Sequence, residues 1–217
     1  MLLCGCNAPH PDNSIFISEL GIWADESEVR VKDFSQFKTY FELKLRTDSV
    51  PEARVFIDSL GTFKTSSSAN FSVPDGKNPA DSLWPVTQIT WGEACAYCNA
   101  ANGRLPTKDE WLVMSTGDYL PGNIWEGYFP YKDEGLDGYK ARVARVKSFE
   151  KNSYNLYDIY GNVREWTSST DSSGNVIVKG GSFLTDYNSG CFLPKFEEVF
   201  LPTTAQCDIG FRCVYDF

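Results

Sequence analysis

Histidine is almost missing from this chain: of 217 residues, only His10 is one. That scarcity excludes Ser-His-Asp and Cys-His nucleophile systems, which need an imidazole base. It equally excludes zinc and iron sites built on two or three imidazoles. If the chain holds a metal, oxygen ligands should hold it. Clustered cations are missing too. Twenty Lys and Arg stand against 29 Asp and Glu, a net charge of −9, and no Lys/Arg-rich run occurs. Phosphate backbones are gripped by grouped cations, so nucleic acid is not an expected partner. Nor does any apolar run approach the roughly 20 residues that cross a bilayer.

What the chain does have is core material, 42% hydrophobic and 15% aromatic, enough for one globular domain. It also has seven cysteines: Cys4, Cys6, Cys95, Cys98, Cys191, Cys207 and Cys213. Cys95 and Cys98 form a C-x-x-C, a spacing used for redox and zinc chemistry. They fall inside a predicted helix rather than at its N-terminus, where thiolates are activated, and no second C-x-x-C completes a tetrahedral site. The scatter toward the C-terminus fits an oxidised, exported framework. Within "MLLCGCNAPHPDNS", Leu3-x-Gly5-Cys6 resembles a bacterial lipoprotein box in which Cys6 carries the lipid. The alternative is a cytosolic chain that happens to begin this way. Residues 1–14 read as a leader remnant and tether, with His10 solvated, and residues 15–217 as the domain.

Local patterns predict an α+β fold. "IFISELGIWA" is strand-like, and "DFSQFKTYFELKL" places Phe34, Phe37, Phe41 and Leu45 at helical spacing behind Asp33 as N-cap. Residues 59–85 are rich in Ser, Gly, Pro and Asp and read mostly as loop. Capping boxes at Thr90/Glu93 and Thr107/Glu110 open two further helices, the first stopping at Gly103. After residue 117 helix signals vanish, leaving short alternating pieces such as "ARVARV", "NVIVKG" and "GFRCVYDF". Loops this long need an organiser other than secondary structure.

"PVTQITWGEACAYCNAANGRLPTKDEWLVM", "NIWEGYFP", "YNLYDIYGNVREWT", "VKGGSF" and "GFRC" occur in that order. Together they resemble the formylglycine-generating enzyme (sulfatase-modifying factor) domain family, whose fold is related to C-type lectins. The resemblance spans about residues 17–217. It implies a fold of few helices and short strands with long calcium-tied loops. In "NLYDIYGNVREWTSS" two acids bracket a Gly161-Asn162 turn inside an aromatic stretch. By the resemblance, Asp158 and Glu165 give side-chain oxygens to one calcium, and Gly161 and Val163 give main-chain oxygens, with Tyr157 and Trp166 anchoring the flanks. Asn123 and Asp137, with the carbonyls of Ile124 and Tyr139, make a second calcium site. The plainer reading of both loops is an Asx-turn with ordinary surface acids.

The same resemblance denies the family's oxidative chemistry. Its active enzymes bind copper through two cysteines five apart after "GGS"; here those positions are Thr185 and Gly190, and Cys191 is one residue off. Neither copper nor iron is expected. The family's structural bridge falls on Cys98 and Cys213, and Cys191 could pair with Cys207 across the final loop. Cys95 is left as a small core thiol. The expected function is a non-catalytic, calcium-binding, ligand- or protein-binding module of the bacterial cell envelope, a monomeric lipoprotein touching membrane only through its anchor. Phe183, Tyr187, Phe192 and Phe196 are candidates for contact with a protein or glycan ligand, or else core filling. The rivals are an oxidase acting on a sulfatase cysteine and an assembly component of envelope machinery.

Overall fold

A computed structural model describes residues 11–41, 53–57, 60–117 and 122–217; the expectations for Cys6, His10 and Leu45 lie outside these. The strand-like opening is two strands rather than one. β1 (Ser14–Ile17) and β2 (Ile22–Asp25) pair antiparallel around a turn closed by Gly21 at φ +65°. β12 (Val214–Asp216) pairs with the other edge of β2, so the two ends of the domain share one sheet.

Among the described residues three helices follow early in the chain. α1 (Val31–Tyr40) buries Val31 and Phe34. Its cap is Arg30, not Asp33, and no side chain caps the helix. Arg30 is held extended by a bridge to Pro85, which displaces the start by three residues and leaves Asp33 in the first turn, paired with Arg30 at 2.6 Å. α2 (Trp91–Ala100) and α3 (Lys108–Met114) carry the expected capping boxes at Thr90 and Thr107.

β3 (Ala53–Ile57) pairs antiparallel with β4 (Thr62–Ser66), so the predicted 59–85 loop holds one strand. β5 (Gly127–Tyr128) and β6 (Lys132–Asp133) form a short hairpin. A four-stranded sheet runs in the order β11-β7-β8-β9, from β7 (Arg164–Thr170), β8 (Val176–Lys179), β9 (Glu198–Phe200) and β11 (Ile209–Gly210). β10 (Ala205–Gln206) joins β3 in parallel.

"ARVARV" is not a strand. Its backbone is spent elsewhere: Ala141 N donates to Asp133, Ala144 N to Asn162, and Val146 N to Leu83 O. In the C-terminal stretch both faces are buried up to Tyr215, because Arg212 and Val214 are as enclosed as Phe211 and Cys213, while Phe217 is exposed.

The main core joins Phe34 and Ile89 to Trp166, Phe211, Cys98 and Cys213. A second core gathers Ile17, Trp111, Met114, Leu156 and Ile159 under the loops that follow α3. Among the described residues no helix is long and apolar enough to cross a membrane.

Candidate functional site

The loop after residue 122 places Asp137 against the backbone of Ile124 and Tyr139. Tyr139 N donates to Asp137 Oδ1 at 2.8 Å. Asp137 Oδ2 is buried with no donor. Burial raises its pKa to about 6, reinforced by the carboxylates of Glu126 and Asp133. Asn123 joins the same region through its amide, which donates to Arg142 O at 2.9 Å and Asn162 Oδ1 at 3.2 Å. Asp137 thus carries an oxygen that accepts no hydrogen bond from the protein, while the Asn123 amide nitrogen is spent on Arg142 O and Asn162 Oδ1.

The 158–165 loop is organised by Asn162, whose partners lie too far along the chain for the sequence to reveal. Fully buried in the left-handed region at φ 56°, it donates from its backbone to Asn123 O at 2.7 Å. Its side-chain amide donates to Glu28 Oε1 at 3.0 Å, and its Oδ1 accepts from Ala144 N at 2.9 Å. Gly161, at φ 86°, lies so close to Asn123 O that a Cβ would sit 2.3 Å away. The two loops are thus one unit. Trp166 anchors the unit in the main core, whereas Tyr157 is half-buried, and Leu156, Ile159 and Tyr160 take the inner positions instead.

The two acids expected at this loop have different surroundings. Asp158 Oδ2 accepts from Lys147 N at 2.6 Å, but Oδ1 is buried and without a donor. Burial raises its pKa to about 6. Glu165 is filled from all sides: Arg212 grips both its oxygens at 2.6–2.9 Å, and Trp111 Nε1 adds a bond of 2.9 Å. Among the described residues no group of three His, Cys, Asp or Glu could hold a metal ion by side chains alone. A cation at either loop would need carbonyl and water oxygens beside Asp137 or Asp158, the mixture calcium takes. The first loop fits calcium by its orphaned carboxylate oxygen; the second fits through Asp158 and not through Glu165.

Below these loops lies a second buried charge network. Arg164 binds Asp208 and Glu198, and donates to Ser182 Oγ at 2.8 Å. Ser182 donates from its hydroxyl to Asp208 at 2.8 Å and from its backbone to Thr185 Oγ1 at 2.9 Å. Thr185 is buried, and Gly190 ends the 3-10 turn Tyr187–Ser189 at φ 66°.

The sequence profile of the sulfatase-modifying factor enzyme 1-like domain matches residues 17–217. This chain belongs to that family. Formylglycine-generating enzyme of Mus musculus is 31% identical over 185 residues, covering 68% of this chain and 49% of that protein. The matched part is thus about half the mouse enzyme's length. Inactive C-alpha-formylglycine-generating enzyme 2 of Bos taurus is 32% identical over 151 residues, 60% of this chain and 50% of that protein. In three dimensions PvdO from Pseudomonas aeruginosa superposes with a TM-score of 0.67 at 16% identity, over 90% of this chain and 80% of PvdO. The fold is the family's α+β, C-type-lectin-like one.

In this sulfatase-modifying factor domain the Cys98–Cys213 disulfide is present, with Cα atoms 5.5 Å apart. The second expected bridge is not: Cys191 and Cys207 are both free. Cys207 is fixed by its backbone bond to Arg54 O and packs beside Trp125 and Phe183, and burial pushes its thiol up. Cys191 sits in the turn that Asp186 caps, its Sγ 3.8 Å from Ser189 O. Cys95 is half-buried, its thiol pushed up to about 11 by burial.

The four loop aromatics divide. Phe183 and Phe192 are buried, while Tyr187 and Phe196 are exposed, with Tyr187 stacked on Phe192 at 5.8 Å. Phe183 also borders a cavity of about 240 Å³, lined in addition by Phe56, Trp84, Arg142, Lys77 and Cys207. The loop itself is tied down by Lys179, whose buried ammonium donates to Pro194 O at 2.6 Å and Phe196 O at 2.8 Å.

Proposed function

We propose that this domain is a non-catalytic, calcium-stabilised binding module of the cell envelope built on the formylglycine-generating scaffold. One observation carries the first part. The positions of the family's copper cysteines are Thr185, hydrogen-bonded to Ser182 and through it to the Arg164–Asp208 pair, and the left-handed turn residue Gly190. No thiol pair stands there to hold copper, and the bovine relative named as inactive shows that the family includes members without the activity. The ligand site would be the aromatic cavity bordered by Phe183, where Arg142 and Lys77 stand against the one carboxylate of Asp75 and suit a largely apolar ligand with a polar group. The Cys98–Cys213 bridge supports an oxidising compartment, as expected for an exported lipoprotein.

The deciding assay offers a cysteine-containing sulfatase peptide with copper and oxygen. We expect no formylglycine; turnover that disappears in Cys191→Ser would overturn the reading in favour of an oxidase. Calcium is tested by calorimetry and melting. At a hundred times the dissociation constant each ion adds about 2.7 kcal/mol of stability. Absence of both heat and a rise in Tm would remove calcium from the proposal.

A further inference from the structure

We infer that Glu28 supplies the second side-chain carboxylate to a divalent cation at the Asp158 loop, while Glu165 serves as the counter-ion of Arg212. The inference rests on the calcium reading above and assigns different residues to it. Glu28 lies between β2 and α1, is 2% exposed, and is bonded to Asn162, 134 residues further on. Its Oε1 takes the Asn162 amide; its Oε2 has no donor, and neither does Oδ1 of Asp158. The backbone brings their segments together, Tyr157 N donating to Glu26 O at 2.7 Å, and the two carboxylates act on each other electrostatically. Two ionised carboxylates cannot satisfy one another, so this juxtaposition calls for a cation.

The charge balance points the same way. Glu28, Asp158 and Glu165 are all buried beside a single guanidinium, Arg212, which is spent on Glu165 and on the carbonyls of Asp25 and Tyr157. Lys147 gives Asp158 its backbone N–H but sends its ammonium to Glu26. Two uncompensated buried negatives are strongly disfavoured once water is excluded. One hard divalent ion between Glu28 and Asp158 neutralises both, with carbonyl oxygens and water completing its shell. The ion would then bind the segment between β2 and α1 to the loop that precedes β7.

Calcium titration of the full chain after chelation tests this, with Glu28→Gln, Asp137→Asn and the double variant Glu165→Gln/Arg212→Met. A glutamine at 28 can still accept from Asn162 while donating to Asp158, so the variant keeps its shape. The wild type should take two equivalents. Glu28→Gln should keep only one, the other weakened roughly 100-fold or more, and Asp137→Asn should lose the complementary one. The double variant should retain both. Free of calcium, Glu28→Gln should melt above the wild type, because a repulsive pair has become a hydrogen bond. Two equivalents at wild-type affinity in Glu28→Gln, a lowered calcium-free Tm in it, or loss of one equivalent in the double variant would each overturn the inference. A wild type that takes no calcium would overturn the calcium reading itself.

Discussion

Asp25 is buried at the end of β2 and accepts from Cys213 N and from the Tyr215 hydroxyl, both at 3.0 Å. Burial raises its pKa from 3.8 to about 6, against the pull of those two donors and of Arg212. The sign follows from proton counting. Between these values the native state holds a proton that the unfolded chain has lost. Stability is therefore highest below pH 4 for this group and declines as pH rises toward 6. The difference is about 3 kcal/mol at neutral pH. Asp25→Asn should flatten that part of the stability–pH curve measured by urea unfolding; an unchanged slope between pH 4 and 6 would remove Asp25 as its source. The glutamate at 165 was visible as an unusual acid among aromatics. That its partner is Arg212 was not, because the two lie 47 residues apart and meet only when β11 sets the C-terminal segment beside β7.

Among the elements, the long segments without secondary structure are held by buried side chains that act on backbone carbonyls. Lys179 is the clearest case. Standing on the all-buried strand β8, it passes its ammonium to two carbonyls of the 190–197 segment over the Trp111 ring, 5.6 Å away. Lys179→Met keeps most of the packing but leaves both carbonyls without a donor, a cost of about 1–3 kcal/mol each. We expect a Tm loss together with faster amide exchange confined to residues 191–197; exchange unchanged in that segment would refute the clamp. The capping boxes of α2 and α3 were legible because they use residues three apart. The start of α1 was not, since it depends on Pro85, 55 residues downstream of Arg30.

For the whole molecule, Cys98–Cys213 joins α2 to the segment that enters β12, across a sequence separation of 115. In the chain-entropy view a loop of that size stabilises by about 4–5 kcal/mol. Cys98→Ala/Cys213→Ala should lower unfolding stability by that order, with a larger loss for the single variants if the remaining thiol is stranded in the core. A change below 1 kcal/mol would mean that the β1-β2-β12 sheet and the buried Glu165–Arg212 pair carry the closure alone. The cysteines that stay free follow from the same scale of organisation. Cys207 is drawn into the β3-β10 pairing, while Cys191 belongs to a surface turn, so proximity in sequence did not become proximity in space.

The sequence by itself determined what depends on composition and short spacing. Near-absence of histidine ruled out whole classes of chemistry, capping residues placed two helices, and an ordered set of motifs fixed the family together with the loss of its cysteine pair. Only the tertiary structure decided which acids are buried beside one another and which face an arginine. Glu28 meets Asp158, and Glu165 meets Arg212, across long stretches of chain. A carboxylate's role is set by what surrounds it once water is excluded, and that surrounding is assembled from segments whose separation no local pattern records.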